Sequence, residues 1–116
     1  MDIIVACAVT HSAAMSEEFL EWLPENVHIY WIFERYADMI WNHGRRSYSS
    51  RTIGEKMRFD MTFESNDEYK LRNSVTPYLG RVYVLRHPER VGLFKYQTSK
   101  FDFPAYIAFC KGVGIL

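Results

Sequence analysis

EYKLRNSVTPYLGRVYVLRHPERVGLFKYQTSK, residues 68 to 100, is the stretch on which the fold turns. Its opening alternates, with Tyr69 and Leu71 on one face and Lys70 and Arg72 on the other, which predicts a short strand. Thr76-Pro77 then signals a helix start, a capping hydroxyl followed by a residue whose fixed φ suits the first helical position. The spacing predicts a helix over 77–87 that stops before Pro88. In GLFKYQTSK, Phe94 and Tyr96 face opposite to Lys95 and Gln97, so a second strand is expected.

Working toward the N-terminus, the clearest element is a helix over 27–43. On a 100° wheel Ile29, Ile32, Phe33, Tyr36, Ala37, Met39 and Ile40 share one side, and Glu34, Arg35, Asp38 and Asn42 the other. Asn26 is its expected N-cap and Gly44 its C′ residue. Trp31 is out of place, falling on the polar side beside Glu34 and Asp38. A short helix is expected from Ser16 up to Pro24. Another is expected over 51–62, capped by Ser49 or Ser50, with Ile53, Met57 and Met61 at intervals of four. FESND, residues 63–67, reads as an acidic loop. The order helix, link, helix, strand, helix, strand predicts a mainly helical α+β fold. Its form is a winged helix-turn-helix-like three-helix core with a small β ribbon.

At 116 residues, 48% of them hydrophobic and 16% aromatic, the chain predicts one packed domain over 1–116. Its core is expected over about 16–100, with the apolar N- and C-terminal extensions packed on it or paired with each other. Cys7 and Cys110 lie near opposite ends, at no metal-ligand spacing, and are read as reduced. The run MDIIVACAV is too short to span a bilayer and lacks the flanks of a signal peptide, so a cytoplasmic location and no membrane partner are expected.

The net charge of zero conceals segregation. Residues 1–44 carry seven acids and one base, 45–59 five bases and one acid, 60–69 four acids, and 70–100 seven bases and one acid. Such asymmetry suggests a polyanion-binding face or two faces of opposite sign.

Two blocks of residues also carry a resemblance. GRRSYSSRTI (44–53) followed by EYKLRNSVTPYLGRVYVLRHPERVGLF (68–94) resembles a family of small uncharacterised phage and prophage proteins. Members of that family show a Gly, a basic residue, a Tyr-Ser pair and Arg-Thr-Ile, then Tyr-Lys-(Ile/Leu)-x-Asn, Pro-Tyr-(Leu/Ala)-x-Arg, His-Pro-Glu and a late Phe. The similarity covers roughly residues 30 to 98 and implies a phage or prophage origin, hence the host bacterial cytoplasm. Lys95-Tyr96-Gln97 departs from the Thr-Arg pair that often follows the Phe there.

With that layout the expected function is double-stranded DNA binding by a small accessory or regulatory protein. Arg45, Arg46, Tyr48, Ser49, Ser50, Arg51, Lys56, Arg58, Lys70, Arg72, Asn73, Arg81 and Lys95 would form the surface, and Arg81 would point outward from the third helix to read bases. The alternative is a phage protein that binds and inhibits or redirects a host protein through Trp31, Glu34 and Asp38, an aromatic anchor with a charged rim. A homodimer would suit paired apolar ends and operator-type recognition, although no heptad or other interface signature marks one. Asp60 with Glu68 and Lys70 has the residue types of a Mg²⁺ nuclease, but an acid-x-Lys triplet is common by chance. His11, His28, His43 and His87 show no metal-ligand spacing, and no nucleophile motif or phosphate loop is present. No enzyme, metal or cofactor is therefore expected.

Overall fold

Asp2 starts the first helix, its carboxylate accepting the Ile4 N–H at 2.7 Å. The structure, a computed structural model of the chain, describes residues 2–64, 71–90 and 92–94. The N-terminal run forms α1 (Ile3–Thr10), whose Ile4 and Ala8 are buried, so the core reaches beyond its expected start at residue 16. Next comes α2 (Glu17–Trp22), capped by Ser16, whose Oγ accepts the Phe19 N–H at 3.1 Å. Pro24 breaks α2 into a 3₁₀ turn, Leu23–Glu25.

The longest helix is α3 (Val27–Asn42). Asn26 occupies its N-cap position, but the amide donates backward to the Trp22 carbonyl at 2.7 Å, tying the two helices together instead of capping. At the other end Gly44 has φ of 96°, a conformation only glycine reaches without strain. The Gly44 N–H then reaches the Trp41 carbonyl at 3.0 Å and the Arg45 N–H that of Ile40 at 3.2 Å, the paired bonds of a Schellman motif. A tight connector leads into α4 (Ser50–Glu64), which buries Ile53, Met57 and Met61 as their spacing predicts. Ser49 caps it by accepting the Thr52 N–H at 3.3 Å.

The last described helix, α5 (Thr76–Arg86), is the centre of the molecule. Residues 78 to 84 are all buried, because α5 packs against α1, α3 and α4. Thr76 does not cap it: the hydroxyl donates to the Arg72 carbonyl at 3.0 Å. Contacts between α4 and α5 run in opposite chain directions. Gly54 lies against Thr76 and Gly80 against Ser50, and a Cβ added to Gly54 would stand 2.9 Å from Thr76 Cγ2.

The expected α+β, winged-helix architecture is overturned. Among the described residues there is no strand and no β ribbon, only an isolated bridge between Tyr48 and Phe94, with the Tyr48 N–H on the Leu93 carbonyl at 2.7 Å. Leu71 is buried and Arg72 and Asn73 are both exposed, so burial does not alternate as in a strand; these residues lead into a turn. The Arg72 carbonyl accepts the N–H groups of Val75 at 3.1 Å and Thr76 at 3.3 Å. Leu93 is likewise bent back, its N–H on the Arg90 carbonyl at 3.0 Å, just after a 3₁₀ turn over Pro88–Arg90. The rest of both expected strands, and the pairing of the chain's apolar ends, lie outside the described residues. No described helix is long and apolar enough to cross a membrane.

Candidate functional site

Trp31, Glu34, Asp38 and Trp41 form one stripe along α3, as spacings of three and four residues require. The stripe is occupied by the chain itself. Glu34 Oε1 accepts from Tyr30 Oη at 3.0 Å, Arg86 Nε at 3.1 Å and His87 Nε2 at 3.0 Å, so the imidazole carries its proton on that nitrogen. One turn along, Asp38 Oδ1 accepts from Tyr83 Oη and Arg90 Nη1, each at 2.7 Å. The Arg86 guanidinium lies 4.9 Å from the Trp31 ring, and that of Arg90 lies 5.2 Å from the Trp41 ring. The end of α5 and the turn after it thus form a strap, gripping α3 twice at matching intervals of four residues.

This electrostatic environment is enclosed. Burial raises the Glu34 carboxyl, but the bonds from Arg86, His87 and Tyr30 outweigh it and hold the group below the usual carboxylate range. Burial, reinforced by Glu34, drives the Tyr30 hydroxyl far above its ordinary value, and burial with Asp38 does the same to Tyr83. Beneath the strap, burial pushes up the Cys7 thiol while Arg86 pulls it back; Cys7 is a free thiol. Glu34, with 12% of its side chain exposed, is therefore committed inside the molecule rather than to the rim of a partner surface. Trp31 keeps 38% exposure beside Arg86. The sequence signal for the strap was the match between Glu34/Asp38 and Arg86/Arg90, two oppositely charged pairs with the same spacing.

The expected DNA-binding residues fall into three groups. Arg58, Asn73 and Arg81 are structural: Arg58 donates to the Leu71 carbonyl at 3.0 Å and to Asn73 Oδ1 at 2.9 Å. Arg81, expected to point outward, is only 7% exposed, because residues 78 to 84 of its helix are buried all round; its guanidinium lies 4.5 Å from the Tyr78 ring. A second group is paired along α4. Arg51 meets Glu55 at 3.3 Å and Lys56 meets Asp60 at 2.9 Å. Tyr36 also donates to Asp60, holding that carboxyl down together with Lys56, and the Tyr36 hydroxyl is pushed up to about 12. Lys70 and Lys95 lie outside the described residues, as do Glu68 and the rest of the nuclease triplet.

The third group stands together on the connector between α3 and α4. Arg46 is exposed, its guanidinium 3.8 Å from the Trp41 ring and donating to the carbonyls of Trp41 at 2.9 Å and Arg45 at 3.0 Å. Arg45 is exposed above the Tyr48 ring at 5.5 Å. Neither has a carboxylate at ion-pair distance among the described residues. Tyr48 is half-buried and pinned to Leu93, Ser49 is the cap of α4, and Ser50 packs on Gly80. Arg72 is exposed on the turn before α5.

Two features were not foreseen. Phe59 and Phe63 are 62% and 76% exposed, in edge contact at 5.2 Å on the outer side of α4. Met39, assigned by the wheel to the core side of α3, is 61% exposed. No group of three His, Cys, Asp or Glu residues among those described could hold a metal. Comparison with protein-family models, with curated proteins and with solved structures returns no match to this chain.

Proposed function

We propose that this is a non-enzymatic, mainly helical module that contacts the backbone of duplex nucleic acid through the connector between α3 and α4, inside the bacterial cytoplasm and as part of a phage or prophage repertoire. One observation carries the proposal: Arg45 and Arg46 are exposed, free of carboxylate partners among the described residues, and mounted on a stiff support. The Schellman turn, the Trp41 stack and the Tyr48–Leu93 bond all fix that support, so little conformational entropy opposes binding. Arg51 extends the patch onto α4, since both members of its pair with Glu55 are more than half exposed and such a pair is readily exchanged for a phosphate.

Three phosphate contacts set a log–log salt slope of about −2.7, so affinity for duplex DNA should fall about 40-fold from 50 to 200 mM salt. Fluorescence anisotropy with a labelled duplex measures it. Replacing Arg45 and Arg46 by Gln should bring the slope to about −0.9. Absence of binding at 50 mM salt would end the proposal.

A second reading, binding to a host protein, is favoured by Phe59 and Phe63. Adjacent exposed aromatics beside Lys56, 5.7 Å from the Phe59 ring, have the composition of an interface anchor. It moves the contact from Trp31, Glu34 and Asp38 to α4. Capture of one stoichiometric host protein, lost on changing Phe59 and Phe63 to Ser, would support it; capture unaffected by that change would remove α4 from it.

A further inference from the structure

We infer that the outer side of α4 is the face on which a second copy of this chain docks, giving a two-fold dimer whose α4 helices run antiparallel and cross near Asp60. The inference takes the side of α4 that the second reading gives to a host protein and commits it to one occupant. Its test involves no nucleic acid.

The face is built by the spacing of α4 itself. Ile53, Met57 and Met61 are its buried stripe, and Phe59 and Phe63 each follow a core methionine by two residues. Two residues are about 200° round a helix, so no rotation of α4 hides the phenylalanines without exposing the methionines. Phe59 and Phe63 are four apart and in edge contact at 5.2 Å, hence one continuous patch. With 62% and 76% exposure they leave roughly 300 Å² of apolar surface in water, in the size range that marks interaction sites.

The charges around the patch select the occupant. Along the exposed side, Arg51 and Lys56 stand toward the start of α4, with Glu55 paired to Arg51, and Glu64 stands at its end. Asp60, at the crossing, is turned to Tyr36 and Lys56. Antiparallel pairing about that point sets Glu64 of each copy opposite Lys56 of the other, and the four phenylalanines interleave across the axis. Lys56 keeps 58% of its side chain exposed beside Asp60, so its ammonium is free to be shared. Under two-fold symmetry every such contact is made twice, and α4 is its own complement in charge as well as in apolar surface. The chain's formal net charge of zero removes the overall repulsion that keeps like molecules apart. At about 1.5 Å per residue, Ser50 lies about 15 Å from the crossing, so the two α4 N-termini stand about 30 Å apart along the helix axes, close to one turn of B-DNA.

Sedimentation velocity of the full-length protein over roughly 1 to 300 µM tests this, a range suited to the weak association that a small interface supports. The expected result is a mass that rises from one chain toward two with concentration. Changing Phe59 and Phe63 together to Ser should weaken association more than about tenfold, with circular dichroism unchanged. Glu64→Lys, which sets like charges opposite Lys56, should weaken it about fivefold at low salt. A single chain at every concentration, or a dimer indifferent to the serine changes, would overturn the inference. Association weakened by the serines but not by Glu64→Lys would overturn the antiparallel arrangement. Stoichiometric capture of a host protein through Phe59 and Phe63 by a chain that stays monomeric would overturn it in favour of the second reading. Duplex binding by Arg45 and Arg46 is decided by its own titration.

Discussion

Replacing Glu34 by Gln isolates the strap's contribution to stability. The amide keeps the size of the side chain and an oxygen where Oε1 accepts from Tyr30, Arg86 and His87, but removes the charge that strengthens all three bonds. Hydrogen bonds to a charged acceptor contribute roughly 1 kcal/mol more than neutral ones, which for three donors gives about 3 kcal/mol. Removing one partner of a fully buried ion pair costs about 3–5 kcal/mol. Arg86 keeps 22% of its side chain exposed, so water compensates it in part, and the expected loss at pH 7 is about 2–3 kcal/mol. The pH dependence has a definite sign. Glu34 is held below its unfolded value of about 4.3, so its stabilisation is present above that pH and is lost as the pH falls through the folded value. Urea unfolding of both proteins should therefore show a gap at pH 4.5 that narrows by pH 3. A difference under about 0.5 kcal/mol at pH 7, or a gap that is undiminished at pH 3, would refute the assignment of Glu34 as the strap's charged anchor.

Gly54→Ala should lose about 1–2 kcal/mol despite the better helix propensity of alanine, because its Cβ meets the fully buried Thr76 at 2.9 Å; combining it with Thr76→Ser should recover part of the loss in a double-mutant cycle, and a neutral or stabilising single change would contradict the packing. Arg81→Ala should lower the urea midpoint by the equivalent of about 2 kcal/mol or more, whereas Arg51→Ala should change stability by less than about 0.5 kcal/mol; comparable effects would mean that their environments are alike. Phe59→Ser and Phe63→Ser should each alter stability by no more than about 0.5 kcal/mol, and a loss of 2 kcal/mol in either would show that the α4 surface is covered within the full chain.

Most signals that act within a few residues were legible, the caps expected of Asn26 and Thr76 excepted. Ser16, Pro24, Gly44 and Ser49 each satisfy or break backbone bonds locally, and the structure places a cap, a break, a positive φ and a second cap at those residues. The stripe Ile53, Met57, Met61 was readable for the same reason: α4 has one buried side. The wheel failed on α5 because it assumes one such side. With α1, α3 and α4 all against it, the side of α5 that carries Arg81 is as enclosed as the side that carries Leu79. The strand reading failed at Leu71-Arg72-Asn73 because one buried residue followed by two exposed ones leads into a turn that enters α5, and a single apolar-polar step in the sequence does not tell the two apart. Trp31 was legible as an anomaly but not as a solution, since Arg86, the group beside it, is 55 positions away in the chain.

The segregated charge has a similar resolution. The acidic segment 1–44 and the basic segment 70–100 meet across the strap, Glu34 with Arg86 and Asp38 with Arg90, so their opposite signs are a record of contact rather than of separate faces. Glu18 adds a link between the same two segments through a neutral donor, accepting from the Ser74 hydroxyl at 2.8 Å. Lys56 and Asp60 join the second basic and acidic segments within one helix. After these pairings the described cations that cluster outside the acid network are Arg45 and Arg46, with Arg51 alongside in an exposed pair. Segment charge therefore identifies which parts of a chain attract one another, and the patch available to an external polyanion is what that attraction leaves over. Here the remainder lies on the connector whose position Trp41 couples to the strap, by bearing Arg46 from one and Arg90 from the other.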